Sequence, residues 1–348
     1  MTLPELLLGV MFVGLIAYAL FGGADFGAGI WDLLAGGTKR GARHRELIEH
    51  SIAPVWEANH VWLIFVLVVF WTAFPVPFGS VASTLYVPLF LAAIGIILRG
   101  TAFATRGVHG GSRAGERGYR ALFALSSVLT PFFLGAVVGA VASGRVPVGN
   151  ASGDAITSWW NPTSVLTGAL AVVTGAYLAA VYLAADARRV DEDDVAEAMR
   201  RRALGAGVVA GAMALGGLFV LRDDARSLYD GLLDDGLPLV ILTGVAGLAT
   251  LGLVGTRRYG PARLTAAVAV GAILWGWVVA QHPAFLPPGL TIDEAAAGRP
   301  TLVAVLVATG LGAIVLVPSL ALLFRLFLAG RLDKDAPPVE PRSGDPVP

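Results

Sequence analysis

Nine stretches of mostly apolar residues run along the chain, at roughly 5–27, 56–74, 80–99, 121–143, 162–184, 203–221, 237–255, 262–281 and 301–328. The connections between them hold nearly all of the charge. Each stretch is close to the about 20 residues that a helix needs to cross about 30 Å of hydrocarbon. The runs are continuous and lack period-two alternation, so the pattern predicts helices and no strands. The expected fold is an all-α polytopic membrane protein with nine transmembrane helices, arranged as two four-helix bundles plus one helix. Residues 1–334 are expected to form a single transmembrane domain. The proline-rich, polar stretch 335–348 is expected to be a disordered cytoplasmic tail.

Composition narrows the class further. Of 348 residues, 56% are apolar and 44 are glycine, while only 14% are charged against about 25% in soluble domains. Mean hydropathy is +0.72. These values exclude an ordinary soluble enzyme, a disordered chain and a coiled coil. The 25 basic residues are matched by 25 acidic ones, so there is no basic surplus for nucleic acid. Without cysteine there is no disulfide and no thiolate metal site. The first apolar run has no basic segment ahead of it and is too long for a signal-peptide core, so it is expected to remain as the first span.

The charges also orient the chain. Of the 25 Lys and Arg residues, 21 fall in alternate connections and the C-terminal end, with Arg99 counted in the connection between the third and fourth spans. The other side holds only Arg145, Arg222, Arg226 and Arg299. By the positive-inside rule the N-terminus is outside and the C-terminus cytoplasmic. Two connections have readable shapes. Pro75-Val76-Pro77-Phe78-Gly79 is expected to be a tight outer turn. Arg188 to Arg202 carries acids first and bases last, which suits a cytoplasmic helical extension of the sixth span.

Ionisable groups inside hydrocarbon are costly and are functional candidates by default. They are few and early here. Asp25 sits near the inner end of the first span. Glu57 and His60 begin the second, three residues apart on one helix face. Each also has a plainer reading: Asp25 as an interfacial or capping carboxylate, Glu57 as an acid favoured by a helix N-terminus, His60 as a hydrogen-bonded core histidine. The remaining spans are expected to hold almost no comparable groups. Gly22, Gly23, Gly27 and Gly29 strip side chains from the helix around Asp25, which permits close approach by a neighbouring helix or by a cofactor.

A haem held by paired protein ligands within the membrane needs two histidines there, or a histidine and a methionine. Of His44, His50, His60, His109 and His282 only His60 is expected inside the membrane, and none of Met1, Met11, Met199 and Met213 is placed to partner it. Redox metals, if the protein takes part in redox chemistry, are then expected on another subunit.

Gly22 to Trp31, reading GGADFGAGIW, and Ser51 to Ile64, reading SIAPVWEANHVWLI, resemble the first- and second-helix signatures of subunit II of cytochrome bd-type quinol oxidases. Length, nine spans and an outside N-terminus match as well; from the fifth helix onward only the architecture does. The resemblance implies a multi-pass protein of the bacterial plasma membrane. It implies an obligate partner, subunit I, which carries haem b and haem d, with small single-span accessory subunits and a bound quinone as further components. The complex would oxidise quinol and reduce oxygen to water in the respiratory chain, surrounded by membrane lipid. Asp25 and Glu57 match the family's inner acids by motif position, and with His60 they would form a proton pathway from the cytoplasm. Many members carry Asp where Glu57 stands, and the position of His60 is not uniformly histidine. Two other readings stay open from the residues alone: a secondary transporter or channel with an intramembrane carboxylate pair, and a purely structural scaffold subunit.

Overall fold

In the computed structural model, residues 1–35, 39–52, 56–105 and 113–328 are described. The expected tail 335–348 lies outside them. The described chain is helical apart from its loops and one small hairpin, so the expectation of helices holds while that of no strands is corrected. Contact clustering separates two compact units, Met1–Ala297 and Gly298–Pro348. In the second, helix α14 (Arg299–Leu328) is continuous through Pro318.

The first unit begins with α1 (Leu3–Ala17), whose N-terminus is closed by a capping box between Thr2 and Glu5. A π-helical turn, Tyr18–Gly22, joins α1 to α2 (Gly23–Leu33). There follow α3 (Lys39–Ile52), α4 (Trp56–Ala73), α5 (Pro75–Thr84), α6 (Tyr86–Thr105) and α7 (Arg113–Ala142). After a loop come α8 (Pro162–Arg189), α9 (Asp193–Asp224), α10 (Arg226–Leu233), α11 (Leu237–Gly255) and α12 (Tyr259–Gln281). The unit closes with the antiparallel pair β1 (Ala284–Leu286) and β2 (Leu290–Thr291) and the short α13 (Ile292–Ala295).

The apolar stretches are helical almost throughout, but 80–99 is divided between α5 and α6 at Leu85, and 5–27 runs through α1, the π turn and α2. Among the described residues seven helices are long and apolar enough to cross a membrane, and an eighth candidate is the pair α4–α5, bent by 118°. Tyr86–Ala102 in α6 is a shorter apolar helix. The expected turn at Pro75–Gly79 is instead the start of α5. Pro75 stands in its first turn, where a missing N–H costs nothing and a fixed φ favours the helix. The break falls one residue earlier, at Phe74. The expected extension at Arg188–Arg202 is present: α8 runs to Arg189, and α9 starts with Asp193 and Asp194 in its first turn.

Helix α8 is the centre of the packing. It lies against α2, α7, α9 and α12, and its face from Tyr177 to Ala187 is nearly all buried. Five of those eleven residues are alanine, which lets backbones approach in the absence of a hydrophobic drive between helices. Hydroxyls within the helices bond back to carbonyls one turn earlier, as Thr72, Thr101 and Thr250 do. Such bonds satisfy polar groups where no water competes. Thr250 and Thr265 also meet hydroxyl to hydroxyl, 2.7 Å apart, between α11 and α12.

Ion pairs mark the two ends of α8, about 40 Å apart for 28 residues. At its N-terminus Asp224 accepts from the backbone N–H and hydroxyl of Thr163 and from both terminal nitrogens of Arg145. In the adjoining loop the backbone N–H groups of Thr157 and Ile156 donate to Asp154 and hold its carboxyl below the usual carboxylate range. At its C-terminus Arg43 pairs with Glu192, Arg188 with Asp193, Arg263 with Asp186, and Glu197 with Arg200, Arg201 and Arg257.

Candidate functional site

The glycine run decides where α2 can sit. A methyl group at Gly27 would stand 2.0 Å from the carbonyl oxygen of Gly175 in α8, and one at Gly29 would stand 1.9 Å from the hydroxyl of Ser127 in α7. One turn along α7 a methyl at Gly95 would stand 2.2 Å from the Thr130 hydroxyl, so α6 is pressed equally close. These glycines therefore serve helix packing. The Trp31 indole N–H ties the same contact by donating to the Ala176 carbonyl at 2.7 Å.

The close approach of α2, α6 and α7 encloses Asp25, and with it a group that the sequence reading misplaced. Arg99 is not in a cytoplasmic connection. It lies within α6 and has no exposed side-chain surface, and Asp25 has 2%. Nη2 of Arg99 donates to Oδ1 of Asp25 at 2.5 Å and to its backbone carbonyl at 2.6 Å. Nε donates to Oδ2 at 3.3 Å, and Nη1 to the Ser127 hydroxyl at 3.1 Å. The guanidinium carbon sits 4.7 Å from the ring centre of Phe26 and 4.4 Å from that of Phe123. Among the later spans, expected to hold almost no comparable groups, this arginine of α6 is one. A buried carboxylate is tolerable when paired and hydrogen-bonded, and an arginine fork with aromatic faces on either side is the form of pairing that loses least on dehydration.

The second span lies alongside. Asn59 of α4, 4% exposed, donates to the carbonyl of Phe21 within the π turn at 3.3 Å. The His60 ring meets Phe26 edge-on, with ring centres 6.4 Å apart. The start of the second span is thereby brought against the segment that carries Asp25, as the motif positions require. Glu57 falls within α4, but its side chain lies outside the described residues.

Arg99 left a signal in the sequence. It closes an apolar run, and an arginine there needs a carboxylate at matching depth, which only the first two spans supply. Assigning it to a loop hid that demand.

Three of the described histidine and methionine donors have neighbours of other kinds. His60 packs on Phe26, His282 lies 3.1 Å from Glu5 at the other end of the first helix, and Met199 is packed into the core around α8. No group of three or more His, Cys, Asp or Glu gathers among the described residues. An apolar cavity of about 150 Å³ lies between α1, α4, α7, α12 and the hairpin. Its one amide, Gln281, accepts from the Trp277 indole and donates to the Phe285 carbonyl.

The chain matches known proteins along most of its length. A family model described as cytochrome bd terminal oxidase subunit II matches residues 3–327. The cytochrome bd ubiquinol oxidase subunit 2 of Bacillus subtilis is 31% identical over 102 residues, 29% of this chain and 28% of that protein. A putative cytochrome bd menaquinol oxidase subunit II of the same organism is 22% identical over 222 residues, 63% of this chain and 62% of that one. The cytochrome bd-I ubiquinol oxidase subunit 2 of Escherichia coli K12 is 32% identical over 101 residues, 29% of this chain and 25% of that one. Each match thus spans less than two thirds of the relative's length. The structure of bd oxidase from Geobacillus thermodenitrificans superposes at a TM-score of 0.73 with 25% identity, covering 94% of this chain and 99% of that chain. With all but the ends of the sequence matched, the chain belongs to the cytochrome bd terminal oxidase subunit II family.

Proposed function

We propose that this chain is subunit II of a quinol:oxygen oxidoreductase and that it carries protons from the cytoplasm toward the site of oxygen reduction. The family match over residues 3–327 carries the first part of the reading. The partner is subunit I. Haem b and haem d, bound on that partner, would supply electron transfer and oxygen reduction. Small single-span subunits and a bound quinone complete the proposed assembly, with quinol and oxygen as its substrates.

The proton part rests on one geometric observation: the start of α4 lies against the Asp25 segment, through Asn59 on Phe21 and His60 on Phe26. Reduction of oxygen to water consumes protons, and a proton crosses low dielectric only along hydrogen-bonding groups. In the proposed route Glu57 takes the proton, His60 lies one turn further in, and Asp25 is the inner acid. Arg99 holds the Asp25 carboxyl in a fixed orientation at the inner end of the route, and Glu57 is the group that exchanges with water.

In the proposed membrane frame all nine apolar helices span, as two four-helix bundles plus one helix within a single domain of residues 1–334. The N-terminus is outside and the C-terminus cytoplasmic. The opposite placement of the Arg145–Asp224 and Glu197 clusters along α8 supports that frame. Reporter fusions at Val148 and Asp193 are expected to read opposite sides; the same side for both would remove it.

The test of the route is Glu57→Gln in complex co-expressed with subunit I. Oxygen consumption per haem is expected to fall by about a hundredfold, with haem content retained and Glu57→Asp much milder. Full haem content with wild-type turnover between about pH 6 and 8 would leave the chain as a scaffold.

A further inference from the structure

Tyr18 opens the π turn between α1 and α2, and its side chain is almost wholly buried. Its hydroxyl meets no hydrogen-bond partner among the described residues. A hydroxyl desolvated in this way costs about 1–3 kcal/mol, a penalty that phenylalanine would avoid at the same volume. The ring is held in place, because Gly22 leaves the space it occupies: a methyl at Gly22 would stand 2.9 Å from Cε2 of Tyr18. The charged groups that act on the hydroxyl are Asp25 and Arg99.

Asp25 has room to accept more. A carboxylate offers about four lone-pair sites, and Arg99 fills one on each oxygen. The π turn between the two residues is polar in its own right. Its Phe21 carbonyl already takes a hydrogen bond from Asn59 of α4, and π turns of this kind open the backbone ladder. An orphan donor, a carboxylate with open acceptor sites and an opened backbone are the partners that a buried water requires.

We propose that Tyr18 is a positioning residue of the proton route: its hydroxyl donates, through one buried water, to the Asp25 carboxylate and extends the polar path from the Asp25–Arg99 pair into the π turn. The inference rests on the proton-route reading above. It explains why a tyrosine stands in an apolar helix where its hydroxyl has no protein partner. Tyr18 acts through Asp25 and does not itself touch a substrate.

The experiment is Tyr18→Phe in the complex with subunit I, with Glu57→Gln prepared in parallel. Four quantities are read: kcat, the quinol KM, the solvent deuterium isotope effect and the thermal midpoint. Removing the hydroxyl is expected to lower kcat about tenfold, the worth of one hydrogen bond in a limiting step. The quinol KM should stay unchanged and the isotope effect should rise. The thermal midpoint should fall by no more than the worth of one hydrogen bond, about 1 kcal/mol in stability. Wild-type kcat and isotope effect in Tyr18→Phe, beside a slow Glu57→Gln, would overturn the role of Tyr18 and leave the route standing. Wild-type turnover in Glu57→Gln would overturn the route and this inference with it. Loss of assembly in Tyr18→Phe would show a structural bond and overturn the inference as well.

Discussion

The Asp25–Arg99 pair and the network around Glu197 use the same chemistry at opposite levels of solvent access. Arg99 and Asp25 are 0% and 2% exposed and are enclosed by α2, α6 and α7. Glu197 is 27% exposed, and its partner Arg201 76%. At the rim each arginine can exchange its carboxylate for water, so a single pair contributes about 0–1 kcal/mol. In the interior neither partner can exchange the other for bulk water. The attraction there mostly offsets dehydration, and the larger effect appears when one partner is removed. The rim network locates helix ends, while the interior pair sets which helices can close at all.

Arg99→Leu is the strongest way to break this contrast. It leaves Asp25 buried without its partner, at a cost of about 3–5 kcal/mol, and the complex should fail to accumulate in membranes. The double variant Asp25→Leu with Arg99→Leu should recover part of that loss. An Arg99→Leu complex with normal abundance and thermal midpoint would show that Asp25 is not held as an ion pair.

Asp224→Asn probes an intermediate setting. Asp224 is 14% exposed and serves two partners at once, pairing with Arg145 in the loop after α7 and capping α8 through Thr163. Losing the charge should cost about 1–2 kcal/mol, read as a lower midpoint in thermal unfolding of the detergent-solubilised complex. Arg188→Ala lies at the bottom of the scale. Its pair with Asp193 is 61% and 71% exposed, and the midpoint should move by no more than about 0.5 kcal/mol at moderate salt. A large effect at Arg188 would mean that the α8–α9 junction is covered by a partner in the complex, and the contrast would need redrawing.

Part of this site was legible in advance. Asp25 and the second-span motif stood out because ionisable groups are rare in apolar runs, and the glycines at 22, 23, 27 and 29 pointed to close packing. Arg99 was placed in a connection, for a specific reason. Its partner is 74 residues away in sequence, and hydropathy alone places an arginine at the end of an apolar run equally well in a span or in a loop. The orphan hydroxyl of Tyr18 was invisible too, since a tyrosine in a helix acquires a missing partner only once its neighbours are in place.

What the amino-acid order determined by itself is the helical class, the apolar segments and the motif that marks the family. Those properties depend on local hydrophobicity and spacing, which each segment carries alone. Where α4 breaks from α5, how α2 is pressed onto α8, and which arginine meets Asp25 were decided only by the tertiary structure. Each depends on atoms from several helices competing for the same few ångströms, and no single segment holds that information.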